Sequence, residues 1–154
     1  MATRGPVVAD ATATRSLPDG AVLARPEGRR QMTNGYEVLV VDDDPAIRAT
    51  VRAALELDGY VVAEASDGAA GLAALRNEEP CLVLLDMRMP TMDGWEFSRR
   101  YRAQEGQAAL VVMTAAESAR RWCEEIGGDG CLPKPFDLDE LYGLVERFCG
   151  GKAA

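Results

Sequence analysis

Residues 36–45 read Tyr36-Glu37-Val38-Leu39-Val40-Val41-Asp42-Asp43-Asp44-Pro45: four aliphatic residues in a row, then three acids, then a proline. An unbroken apolar run of this length fits a strand buried on both faces better than one with a solvated side. Asp44 before Pro45 is a helix start, a capping side chain followed by the residue best suited to the first helical position. Within ten residues the chain passes from buried strand to helix and leaves a cluster of acids at the joint.

Working outward, the same unit repeats. Apolar runs at 36–41, 60–63, 81–85, 109–113 and 130–132 alternate with stretches carrying helix signals. The first helix is predicted from Asp44, turning Ile47, Val51 and Leu55 inward and ending near Gly59. Asp67 starts the second, with Leu72 and Leu75 inside. Asp93 caps the third, where Trp95 or Phe97 packs with Tyr101, and Glu96 pairs with Arg100 at i,i+4. The fourth runs from Glu117 to Ile126 and is closed by Gly127 and Gly128. The fifth opens with a capping box of Asp137 and Glu140, carries a stripe of Leu138, Leu141, Val145 and Phe148, and stops at Gly150 and Gly151. Five strands alternating with five helices predict an α/β fold: an open, doubly wound parallel sheet of (βα)5 type with right-handed crossovers.

Composition limits the rest. A chain of 154 residues with 47% hydrophobic residues has room for one core. Residues 1–35 hold five arginines against three acids and no aromatic residue, and a segment so poor in apolar side chains is expected to be a disordered tail. Residues 36–150 form the expected domain, and 151–154 a C-terminal tail. The body carries a net charge of −10, which argues against direct nucleic-acid binding. No run long enough to span a bilayer and no secretory signal is present, so a soluble, cytoplasmic protein without membrane contact is expected. The irregular spacing of Cys81, Cys123, Cys131 and Cys149 predicts four reduced, mostly buried thiols. With no histidine, chemistry falls to carboxylates, hydroxyls and lysine.

In a doubly wound sheet ligands bind beyond the carboxyl ends of the strands. Those ends collect Asp42, Asp43 and Asp44 after the first strand, Asp86 after the third, Thr114 after the fourth and Lys134 after the fifth. Clustered acids at a buried strand end call for a cation, and hard oxygen donors suit Mg²⁺. A carboxylate, a lysine and a hydroxyl around a metal are the groups that phosphoryl transfer to an aspartate requires. Asp44 reads as a cap rather than a ligand, and Asp93 and Gly94 as turn and cap residues.

The segments Val40-Val41-Asp42-Asp43-Asp44, Leu84-Leu85-Asp86-Met87-Arg88-Met89-Pro90 with Met92-Asp93-Gly94, Val112-Met113-Thr114-Ala115 and Leu132-Pro133-Lys134-Pro135-Phe136 closely resemble the signature segments of response-regulator receiver domains. The resemblance covers 36 to about 149. It implies a flavodoxin-like strand order 2-1-3-4-5, phosphorylation of Asp86 by a histidine kinase or histidine phosphotransfer protein, and Mg²⁺ held by Asp43, Asp86 and the backbone carbonyl of Arg88, with Asp42 acting through water. It further implies that Thr114 and Lys134 contact the phosphoryl group, that small Ala115 leaves room for it, that the bond from Lys134 to Pro135 is cis, and that a downstream protein reads the face of helix 4, strand 5 and helix 5. The protein would then be no enzyme but a phosphoacceptor that assists its own phosphorylation and dephosphorylation. Because little chain follows Cys149, a stand-alone receiver is expected. The pattern departs at Cys131, where receivers usually carry the aromatic switch residue, so a phosphorylation-independent interaction module is the competing reading. Arg88 is a candidate modulator whose guanidinium could fold over the phosphate. It also stands where aspartyl-phosphate hydrolases carry a second acid, and the acidic first turn would repel a flavin phosphate, so both of those readings recede.

Overall fold

A computed structural model describes residues 35–150; the tails expected at 1–35 and 151–154 otherwise lie outside the described residues. The elements are β1 (Val38–Val41), α1 (Pro45–Leu57), β2 (Val62–Ala65), α2 (Gly68–Asn77), β3 (Leu82–Leu85), α3 (Gly94–Ala103), β4 (Ala109–Ala115), α4 (Ala116–Ile126), β5 (Gly130–Lys134) and α5 (Leu138–Cys149). All strand pairs are parallel, and the sheet order is β2-β1-β3-β4-β5. The predicted class and strand order hold.

Helices on both sides bury β1 and β3 completely, which is why those strands read as continuous apolar runs. Alternate residues serve opposite faces. Val38, Val40, Leu82, Leu84, Val111 and Met113 pack with Val51 and Leu55 of α1 and Leu141 and Val145 of α5. Residues of the other parity, Leu39, Val41, Val83, Leu85, Leu110 and Val112, are equally buried, as are Leu72 and Leu75 of α2 and Phe97 and Tyr101 of α3. Of the two aromatic candidates in α3, Phe97 is therefore the core residue.

Caps set the helix starts as read from sequence. Asp44, Asp67, Asp93 and Asp137 each accept a backbone N–H from the first turn they precede, and Asp137 and Glu140 complete a reciprocal box. The Glu96–Arg100 pair forms at 2.5 Å. Gly127 ends α4 in the left-handed conformation at φ 65°. Only residues 127–129 separate α4 from β5.

Three expectations change. β2 begins at Val62, not residue 60, because the Tyr60 N–H closes α1 by donating to Leu55 O at 3.0 Å. Leu138, predicted as part of the apolar stripe, is the first residue of α5 and is 44% exposed. The thiols are not all reduced. Cys81 and Cys149 form a disulfide with Cα atoms 5.3 Å apart, leaving Cys123 and Cys131 free. The last turn of α5 packs where β3 begins, so two cysteines separated by 68 positions meet within disulfide reach. Sequence spacing carries no signal of that contact. Among the described residues no helix is long and apolar enough to cross a membrane.

Candidate functional site

Register brings the acids together. Val41 of β1 pairs with Leu85 of β3, so the next residues, Asp42 and Asp86, emerge side by side where the strand order reverses. Asp43 follows at the start of the first turn. Carboxylate oxygens of Asp42, Asp43 and Asp86 lie within 4.8 Å of one another. On β4 and β5, Thr114 pairs with Pro133 and Ala115 with Lys134, which carries the lysine to the same edge. The Lys134–Pro135 peptide is cis.

The three acids differ in setting. Asp42 is wholly buried and fully engaged: Oδ1 accepts the Asp44 N–H at 2.9 Å, Oδ2 accepts Lys134 Nζ at 2.8 Å, and its carbonyl accepts Arg48 Nη1 at 2.7 Å. Asp43 is exposed. Asp86 is 6% exposed, with Lys134 Nζ 3.9 Å from Oδ2 and the Arg88 N–H 3.4 Å from Oδ1. Burial pushes the Asp86 carboxyl up to about 6, and the charges of Asp42 and, more weakly, Asp43 add to the rise against the opposing Lys134 and Arg88 N–H. One lysine thus faces three carboxylates, and a divalent cation would relieve the excess negative charge. The donor set, all hard oxygen, fits Mg²⁺; Asp42, Asp43 and Asp86 are the side chains gathered to hold it.

Thr114 is buried at 3% exposure near the end of β4, and Ala115, the last residue of β4 and the N-cap of α4, is exposed. Asp44 accepts the Ala46 N–H and is a cap, as read. Cys131 lies half-buried on β5. The Arg88 guanidinium does not fold over Asp86 but lies over the Trp122 ring, 5.8 Å from its centroid.

Two contributors escaped the sequence reading. Arg48 bridges the Asp42 carbonyl and Glu64 Oε1, the latter at 3.0 Å; its place one turn after Asp44 was the available signal. Gly94 was read as a turn residue, yet a Cβ there would meet Met87 Cα at 2.8 Å and the Asp86 carbonyl at 3.1 Å. The absence of a side chain lets the start of α3 press on the backbone of Asp86 and Met87.

Comparison with known proteins agrees with this geometry. The model of the response regulator receiver domain matches residues 38–146. Response regulator MprA of Mycobacterium sp. (strain KMS) is 41% identical over 106 residues, 68% of this chain and 46% of that protein, so the chain spans about half the length of the curated relatives it matches. Among solved structures, Vibrio cholerae chemotaxis protein CheY4 superposes with TM-score 0.67 at 30% identity, covering 74% of this chain and 98% of that one. The receiver domain of a sensor histidine kinase from Pseudomonas aeruginosa PAO1, described with a magnesium ion coordinated in its active site cleft, superposes with TM-score 0.68 at 30% identity, covering 76% and 99%.

Proposed function

The chain belongs to the response-regulator receiver family, and from that premise we propose that it accepts a phosphoryl group on Asp86 in a two-component relay. The observation that carries the reading is the buried Asp86 carboxylate, clustered with Asp42 and Asp43 and 3.9 Å from Lys134 Nζ. An Asp86 oxygen attacks the phosphorus of a phosphohistidine on a kinase or phosphotransfer protein. The P–N bond breaks, and the electron pair leaves with the imidazole nitrogen, which takes up a proton. Mg²⁺, when bound, neutralises charge on the transferring phosphoryl oxygens. Lys134, anchored on Asp42, shifts its ammonium toward the new phosphoryl oxygens. The Thr114 hydroxyl donates to another of them, and the Ala115 N–H is available to a third. The same groups assist hydrolysis by water, which is the sense in which the domain promotes its own phosphorylation and dephosphorylation without being an enzyme on a separate substrate.

The proposal includes a cytoplasmic setting and a protein partner that reads the α4, β5 and α5 face. Incubation with acetyl phosphate and Mg²⁺ followed by intact mass measurement tests it: the wild type gains one phosphoryl and Asp86→Asn gains none. Cys131 in the switch position favours a second reading, a module that binds its partner regardless of phosphate. A wild type that stays unmodified in this experiment selects that second reading.

A further inference from the structure

The structure places a coupling device between the acceptor and the α3–α4 surface, and we propose that Arg88 performs the signalling step that Cys131 is poorly suited to perform. The inference rests on the phosphoacceptor reading and concerns how that site is read. Arg88 stands two residues from Asp86, and its own N–H points at Asp86 Oδ1 at 3.4 Å. Its side chain therefore springs from the rim of the acceptor. The guanidinium lies over Trp122 on α4, at 5.8 Å from the ring centroid, and Arg121 approaches the same ring at 5.9 Å. Trp122 in turn meets Trp95 on α3 edge-to-face, with centroids 5.0 Å apart, and the Trp95 indole N–H donates to Glu125 Oε1 at 2.9 Å. An acceptor-side arginine, a ring on α4 and a ring on α3 thus form one connected chain. A shallow cleft of about 490 Å³, lined by Arg88, Met89, Pro90, Asp93 and Trp95, opens beside it.

The balance of forces gives the direction of change. A guanidinium over a partly exposed ring is held weakly. A phosphoryl dianion on Asp86 offers the same guanidinium charge-assisted, bidentate hydrogen bonds, which are stronger. Phosphorylation therefore draws Arg88 off Trp122, uncovers that ring and changes its packing on Trp95. The α3–α4 surface then differs between the two states, an effect that does not require an aromatic residue at position 131. Arg121 sits on α4 itself, with its side chain largely exposed and 3.9 Å from Glu125 Oε2, and serves as the control.

Trp95 and Trp122 are the only tryptophans in the chain, so emission excited to the red of tyrosine absorption reports on this pair alone. The full chain, Arg88→Ala and Arg121→Ala are each compared with Mg²⁺ alone and with Mg²⁺ plus acetyl phosphate, with phosphoryl content measured by mass on the same samples. The proposal expects a change in tryptophan signal per phosphoryl gained in the wild type, retention of that change in Arg121→Ala, and its loss in Arg88→Ala. Equal change per phosphoryl in Arg88→Ala and wild type overturns it. So does a phosphorylated wild type with an unaltered signal, which would leave the acceptor reading standing. A wild type that gains no phosphoryl brings down both.

Discussion

Replacing Asp86 by Asn should make the metal-free protein more stable at neutral pH, although it removes the proposed phosphoacceptor. In the fold the carboxyl titrates at about 6, against about 3.9 in an unfolded chain. Its folded value is the higher one, so the stabilisation it allows is complete below about pH 4, where both states hold the proton, and is lost as pH rises through 6. A gap of about two units at about 1.4 kcal/mol each puts the loss at neutral pH on the order of 3 kcal/mol. Asn carries no charge at any pH and retains a similar shape, so it escapes that loss. Urea unfolding with EDTA present, followed by tryptophan emission, should give a variant more stable than wild type by about 2–3 kcal/mol at pH 7.5, with the difference closing toward pH 4. Saturating Mg²⁺ should then raise wild-type stability more than that of the variant, because it binds the folded acidic cluster. A variant no more stable than wild type at pH 7.5, or a difference of constant size from pH 4 to 8, would refute the claim that buried, crowded charge is what the site holds in reserve for a cation.

Lys134→Met should leave Asp42 buried without its cation and cost about 2–3 kcal/mol, read by urea unfolding, and it should abolish or greatly slow phosphoryl gain from acetyl phosphate. Reduction of the Cys81–Cys149 bond should lower stability by up to about 4 kcal/mol on the chain-entropy estimate for a 68-residue separation. Alkylation before and after reduction should show two blocked thiols becoming four; because cytoplasmic reductants work against such bonds, the same count on acid-quenched cells reports the state in place. Gly94→Ala should cost about 1–3 kcal/mol through the contact with the Asp86 and Met87 backbone, and it should slow phosphorylation while Asp86 is still present, measured by mass against time.

The sheet and its site were legible because their signals are local. Four aliphatic residues followed by acids and Asp44-Pro45 specify a buried strand, its end and the next helix within a single stretch, and each capping aspartate lies next to the turn it closes. Asp42, Asp43, Asp86, Thr114 and Lys134 could be collected because parallel strands place all their carboxyl ends on one edge. What escaped depends on distances between segments that no period records. The Cys81–Cys149 contact joins the residue just before β3 to the last residue of α5. The Arg88–Trp122–Trp95 chain depends on how α4 leans on α3. Leu138 fits its stripe by spacing yet stands exposed at the first position of α5. Gly94 looks like any turn glycine until the backbone it approaches is known.

On the proposed function, the pocket of Asp42, Asp43, Asp86 and Lys134 activates one particular carboxylate toward phosphorus. Treating the protein with acetyl phosphate and Mg²⁺, reducing the acyl phosphate with borohydride and mapping the peptides locates the modified residue. Residue 86 is expected to convert to homoserine, in dependence on Mg²⁺ and with little or no conversion in Lys134→Met. Modification at another acid, or none at residue 86 under conditions where the protein is folded, would contradict it.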